Sequence, residues 1–133
     1  VKIICDTCVL IFWASQPEKL SEKAANLIKT GLKKQTLACS DISLWEMAML
    51  VEKGRLNLPK TIQPADYIQT IIDAMQLSVI PISPQIAQMA QHPDFIHGDP
   101  ADRLIAATSL AFNATLISAD QKLQQVKGLK WVW

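Results

Sequence analysis

A chain of 133 residues, half of them hydrophobic, is long enough for one domain over residues 1–133 that buries roughly two-thirds of its unfolded surface, and short for two. The formal charge of +1, with no run of five or six like charges, excludes a basic tail or an all-over polyanion-binding surface, so any nucleic-acid contact is local. No stretch reaches the roughly 18 continuous apolar residues of a membrane span, no secretory leader pattern opens the chain, and an odd set of cysteines among aliphatic residues fits a reducing, cytoplasmic setting.

The first predicted element is an apolar strand over residues 2–5 (KIIC), ending at Asp6. Cys5 and Cys8 spell a lone CxxC. His92 and His97 lie too far downstream to complete a zinc site, so the cysteines read as small buried hydrophobes. Residues 21–34 place Ala24, Leu27, Ile28 and Leu32 on one helical stripe, and a strand over 37–40 (LACS) ends at Asp41. An almost wholly apolar helix over 42–52 is closed by Gly54, and Pro59 and Pro64 punctuate the loop behind it. A helix over 65–75 carries Ile68, Ile71, Ile72 and Met75; a strand over 77–80 (LSVI) follows; Ser83 and Pro84 start a helix running to residue 90. The segment HGDPADR then opens another helix, with Asp99 at the cap and Pro100 at the first helical position, before strands over 115–118 (TLIS) and 129–132 (LKWV).

Short apolar strands alternating with helices predict an α/β fold, a parallel sheet covered on both faces, with ligands bound beyond the carboxyl ends of the strands. Acids stand there: Asp6, Asp41 and Asp120 follow strands, and Asp99 and Asp102 open a helix. Each alone is ordinary turn or cap chemistry. Glu46 is harder to place, being the only charge between Asp41 and Glu52, among Leu44, Trp45, Met47, Ala48 and Met49. Either it is a single exposed acid on a mostly buried helix, or it points into a pocket of other carboxylates. In the second case Asp6, Glu46, Asp102 and Asp120 would repel one another without a cation, which calls for one or two hard divalent ions, Mg²⁺ or Mn²⁺.

Four segments, IICDTCVLIFW, SLWEMAML, HGDPADRLIAATS and ATLISADQKL, stand in order across residues 2–133 and together resemble the PIN-domain ribonucleases, specifically the VapC-type toxins of toxin–antitoxin pairs. Departures are mild: Cys8 stands where many relatives have His, and Ser118 where many have Thr. The resemblance implies a three-layer fold with a central parallel sheet of about five strands. It implies Asp6, Glu46, Asp102 and Asp120 as the catalytic, metal-coordinating set, with Asp99 as an accessory acid acting through water. It also implies an RNA substrate, a homodimer and a small cognate antitoxin. Thr7 and Ser118 either orient water or an oxygen behind the ligands or serve as turn-stabilising hydroxyls, and Arg103 either touches a phosphate or, the favoured reading, pairs with a nearby acid.

Two other classes compete. A magnesium-dependent phosphatase or receiver-like protein also sets an Asp after its first strand, but the phosphatase wants a second Asp two residues on, where Cys8 stands, and the receiver wants a second acid beside Asp6, where Cys5 stands. A non-catalytic interaction module would use the same acids to hold a structural ion. Phe12, Trp13, Leu44, Trp45, Met47, Met49, Leu56 and Leu58 are either plain core or a surface shared between a dimer contact and an antitoxin groove.

Overall fold

The computed structural model describes residues 2–95 and 98–133; His97 lies outside them. The elements in chain order are β1 (Ile3–Cys5), α1 (Thr7–Ser15), a 3-10 turn (Pro17–Lys19), α2 (Glu22–Lys34), β2 (Leu37–Ser40), α3 (Ile42–Glu52), α4 (Pro64–Met75), β3 (Ser78–Ile80), α5 (Pro84–Met89), α6 (Pro100–Ala111), β4 (Thr115–Ile117), α7 (Gln121–Gln124) and β5 (Lys130–Val132). The strands form one parallel sheet in the order β3-β2-β1-β4-β5. The central parallel sheet with helices on both faces is as expected, and each expected strand matches to within one residue.

Two elements at the site, α1 and α7, are additions to the predicted set. The α1 sequence TCVLIFWAS is apolar almost throughout, so it carries no helical alternation of polar and apolar residues; its one visible signal is Asp6, whose side chain caps the first turn. The α7 helix is a single turn capped by Asp120.

Alternation along the strands divides the core. Ile3, Cys5, Leu37 and Cys39 face Val9 and Leu10 of α1, Ile28 of α2, Met47 of α3, and Ile71 and Met75 of α4. Ile4, Ala38, Ile80 and Leu116 face the opposite way, onto Ile86 of α5, Ile105 of α6 and Leu123 of α7. Burying each large aliphatic side chain contributes about 1.5–3 kcal/mol. The central strand β1 pairs with β2 on one side and β4 on the other, so the chain leaves it in both directions. That reversal opens a crevice at the carboxyl ends of β1 and β4.

The Met47 and Trp13 part of the aromatic and aliphatic set belongs to the core: Met47 is fully buried, and Trp13, Leu44 and Leu56 pack against the same cluster. Trp45 is exposed.

Gly31 lets α2 approach the sheet. A Cβ there would stand 2.4 Å from Leu37 Cδ2 and 2.8 Å from Leu37 Cγ, and Leu37 has no solvent side to retreat into. Gly31→Ala is therefore expected to destabilise the fold by about 1–3 kcal/mol through overpacking, outweighing the helix-propensity gain of about 1 kcal/mol. Urea unfolding measures it; an unchanged or higher midpoint would show that the helix moves aside freely.

Candidate metal centre

The first acid is set by the end of β1. Asp6 continues the β1–β4 ladder, its N–H donating to the Ile117 carbonyl at 3.0 Å, and then turns to cap α1, Oδ1 accepting from Thr7 N–H at 2.8 Å. Oδ2 accepts from the hydroxyl of Ser118 at 2.7 Å. Ser118 is fully buried and its Oγ also accepts from Asp120 N–H at 3.0 Å, so one hydroxyl fixes both strand-end acids. Asp120 caps α7 through Lys122 N–H.

The second group rises from α3. Thr7 Oγ1 donates to Glu46 Oε1 at 2.5 Å and lies 2.8 Å from Ser43 Oγ. A hydroxyl has one proton, and Thr7 spends it on the carboxylate, so Ser43 is the donor to Thr7. This chain, Ser43 to Thr7 to Glu46, holds Glu46 half-buried and orients its oxygens. Burial raises the Glu46 pKa above the ordinary carboxylate range; the Thr7 bond opposes the shift, and Asp6 and Asp99 add to it. Of the two sequence readings for Glu46, the structure gives the pocket.

The third group comes from α6. Asp99 is the N-cap, its Oδ1 accepting from Ala101 N–H at 2.9 Å, and Asp102 lies in the first turn. Oxygens of Glu46, Asp99 and Asp102 all lie within 4.8 Å of one another. Asp99, expected as an outer acid, is thus one of the tightest trio, and it caps the helix at the same time. Asp6, Thr7, Glu46, Asp99, Asp102 and Asp120 line a single cleft of about 380 Å³, with Ser118 buried beneath it. Asp41 is not part of this lining; its Oδ2 accepts from Ile82 N–H at 3.3 Å, an ordinary loop contact. Arg103 donates Nε to the carbonyl of Ala90 at 2.7 Å, tying α6 to the end of α5.

Cys8 and Phe12 of α1 also line the cleft, residues whose place there depends on a helix that the sequence pattern conceals. Cys8, expected to be buried like Cys5 and Cys39, is exposed. Desolvation by the cleft wall and then the charges of Asp6, Glu46, Asp102 and Asp120 push its thiol up to about 11. In the metal-free cleft it stays protonated at neutral pH, and its Sγ is not among the ligand atoms that converge on one another. The effective donors are carboxylate oxygens alone, which fits a hard divalent cation and disfavours a soft one.

Because outer partners of a metal ligand are typically worth about 10–100-fold in affinity or activity, Thr7→Val is expected to weaken Mn²⁺ binding by about tenfold, with Thr7→Ser restoring it. Calorimetric titration reads this directly, and equal affinity in wild type and Thr7→Val would leave Thr7 only a packing role.

The profile of the PIN domain family matches residues 3–129. The chain is 32% identical over 123 residues to ribonuclease VapC22 of Mycobacterium tuberculosis, an alignment covering 92% of this chain and 89% of that one. Among solved structures it is similar to VapBC2 from Rickettsia felis bound to a DNA fragment from their promoter, with a TM-score of 0.74, 21% identity and coverage of 99% of this chain and 98% of the other. It is also similar to DNA-bound VapBC from Salmonella typhimurium, with a TM-score of 0.71, 16% identity and coverage of 99% and 97%. A toxin–antitoxin complex from Klebsiella pneumoniae matches with a TM-score of 0.65, 18% identity and the same coverage.

Proposed function

The chain belongs to the PIN domain family, and on that footing we propose that it is a metal-dependent endoribonuclease acting as a VapC-type toxin, held in check by a cognate antitoxin. The observation that carries the reading is the convergence of Glu46, Asp99 and Asp102 oxygens within 4.8 Å, in a cleft also lined by Asp6 and Asp120. Asp6, Glu46, Asp102 and Asp120 would hold the cation, Mg²⁺ or Mn²⁺, with Asp99 beside them. When bound, a hard divalent ion supplies an activated water and offsets the negative charge that builds on a phosphodiester under attack.

The chain's own part is positioning. The Ser118 hydroxyl fixes Asp6 and the Asp120 backbone, the Ser43–Thr7 pair aims Glu46, and the first turn of α6 presents Asp99 and Asp102 together. RNA carries its own negative charge, so the acidic cleft accepts it only once a cation is seated. The enzyme acts as a single domain over residues 1–133, as a homodimer, in the reducing cytoplasm, where its three cysteines stay free. Among the described residues no helix is long and apolar enough to cross a membrane. Similarity to VapBC and toxin–antitoxin complexes supports an antitoxin as partner.

Purified protein with single-stranded RNA, with and without divalent ion, is the test. Cleavage that appears with Mg²⁺ or Mn²⁺ and vanishes with chelator is the expected result. Tight Mn²⁺ binding with no cleavage of any RNA would instead make the protein a metal-holding interaction module.

A further inference from the structure

A polyanion needs more positive charge at this cleft than a metal centre brings. The lining holds five carboxylates, Asp6, Glu46, Asp99, Asp102 and Asp120, which outweigh even two divalent ions, and among the described residues no Lys or Arg lines it. Arg103, next in sequence to Asp102, is engaged elsewhere, its Nε donating to the Ala90 carbonyl. A cation does stand behind one wall. The chain leaves α1 through the 3-10 turn Pro17–Lys19, closed by Lys19 N–H on the Gln16 carbonyl at 2.9 Å and Leu20 N–H on the Pro17 carbonyl at 3.1 Å. That turn folds Lys19 back over α1, where its Nζ lies 5.6 Å from the centroid of the Phe12 ring. Phe12 is itself a wall of the cleft, and Trp133 packs against its ring, the centroids 6.4 Å apart. Lys19 is exposed and, among the described residues, lies within ion-pair distance of no carboxylate.

Resting on the nuclease reading, we propose that Lys19 binds an RNA phosphate neighbouring the scissile one, with the Phe12 ring as its seat. A strand that sets one phosphate on the metal must carry the next ones past the cleft walls, and the Phe12 wall is backed by an ammonium. The ring face attracts that ammonium and biases a flexible side chain toward the cleft. It accepts no hydrogen bond that competes with a phosphate, so the three protons of Lys19 remain available to phosphate oxygens. A second copy of the chain does not suit this place: covering Phe12 would close the cleft in which the RNA is cut, so an active homodimer leaves the wall open. A point charge on a phosphate reads no base, and Lys19 is thus a substrate-binding residue that sets affinity and register rather than sequence.

The test combines kinetics with a binding signal that needs no turnover. Lys19→Gln is expected to raise KM for single-stranded RNA about threefold, the scale of an exposed charge pair, with the loss in KM rather than kcat. Salt gives the sharper reading: one phosphate contact on a single strand contributes about 0.7 to the slope of log affinity against log salt, so Lys19→Gln flattens the slope by about 0.7. Lys19→Arg keeps the charge and the ring contact and retains the wild-type slope. Lys33→Gln removes a charge from the last turn of α2, at the edge of the sheet where β2 begins and opposite the cleft, and leaves the slope in place. Affinity is read as stopped-flow anisotropy of a short fluorescein-labelled single-stranded RNA with Mn²⁺, before turnover. An unchanged slope in Lys19→Gln, or an equal flattening in Lys33→Gln, overturns the assignment. So does a Lys19→Gln variant that binds RNA as wild type does but escapes inhibition by a co-expressed antitoxin, since the cation then belongs to a protein contact. If the wild-type chain does not cleave RNA at all, the nuclease reading falls, and the anisotropy slope still decides whether Lys19 meets a phosphate.

Discussion

Asp6→Asn and Asp102→Asn are each expected to reduce the proposed divalent-dependent RNA cleavage by roughly two to three orders of magnitude, the loss that follows when charge stabilisation at the reacting centre is removed. The amide keeps the carboxylate's volume and gives up the charge that holds a hard cation. The two variants differ in their cost to the fold. Asp6 is 6% exposed and its Oδ2 accepts the Ser118 proton, whereas an amide nitrogen at that place donates instead. Ser118 must then turn its proton elsewhere, and a buried donor left unmet costs about 1–3 kcal/mol, partly offset by relief of repulsion in the metal-free cleft. Asp102 is half-buried in the first turn of α6, so Asp102→Asn is the cleaner probe. Circular dichroism and melting temperature establish that both variants fold, and cleavage is measured at saturating Mg²⁺. Near-wild-type rates in both would remove the metal assignment.

The sheet and the acids were readable in the sequence for one reason: their signals are local. KIIC, LACS and TLIS are short apolar runs that stop at acids, and in a parallel sheet the residues after such runs share an edge. Asp99 was readable only in part. The cap preference of Asp before Pro100 is a complete local explanation, and nothing in the spacing says that the same carboxylate also stands within 4.8 Å of Glu46 and Asp102. The helix α1 was hidden because a segment apolar nearly throughout has no polar face to betray its period. Cys8 and Phe12 therefore went unassigned as cleft walls. The Ser43–Thr7–Glu46 chain joins residues 36 and 39 positions apart, and its only sequence trace is that Ser43 and Glu46 are one helical turn from each other.

Glu46 supplies the second large effect, seen in stability. Its folded pKa is raised, first by desolvation and then by Asp6 and Asp99 against the Thr7 bond, above an ordinary value of 4.5. Between those two values the folded state binds the proton more tightly than the unfolded chain, so stability falls as pH rises through that window, and above it the whole cost is present. Below the unfolded value the cost is absent. Glu46→Gln removes this dependence while its amide oxygen still accepts from Thr7 Oγ1, and the new amide protons face acceptors in Asp99 and Asp102. The metal-free variant is accordingly expected to melt a few degrees higher than wild type at pH 7, with the gap closing as pH is lowered toward 4.5. Added Mn²⁺ acts in the opposite sense. It stabilises by mass action in proportion to its affinity for the folded state, so wild type gains more than Glu46→Gln and the order of the two melting temperatures narrows or reverses. The reversal is what separates a ligand from a merely buried acid: a buried Glu that never meets the cation would give the pH-dependent gap with equal Mn²⁺ gains, and melting temperatures identical under every condition would place Glu46 outside the carboxylate cluster's electrostatics altogether.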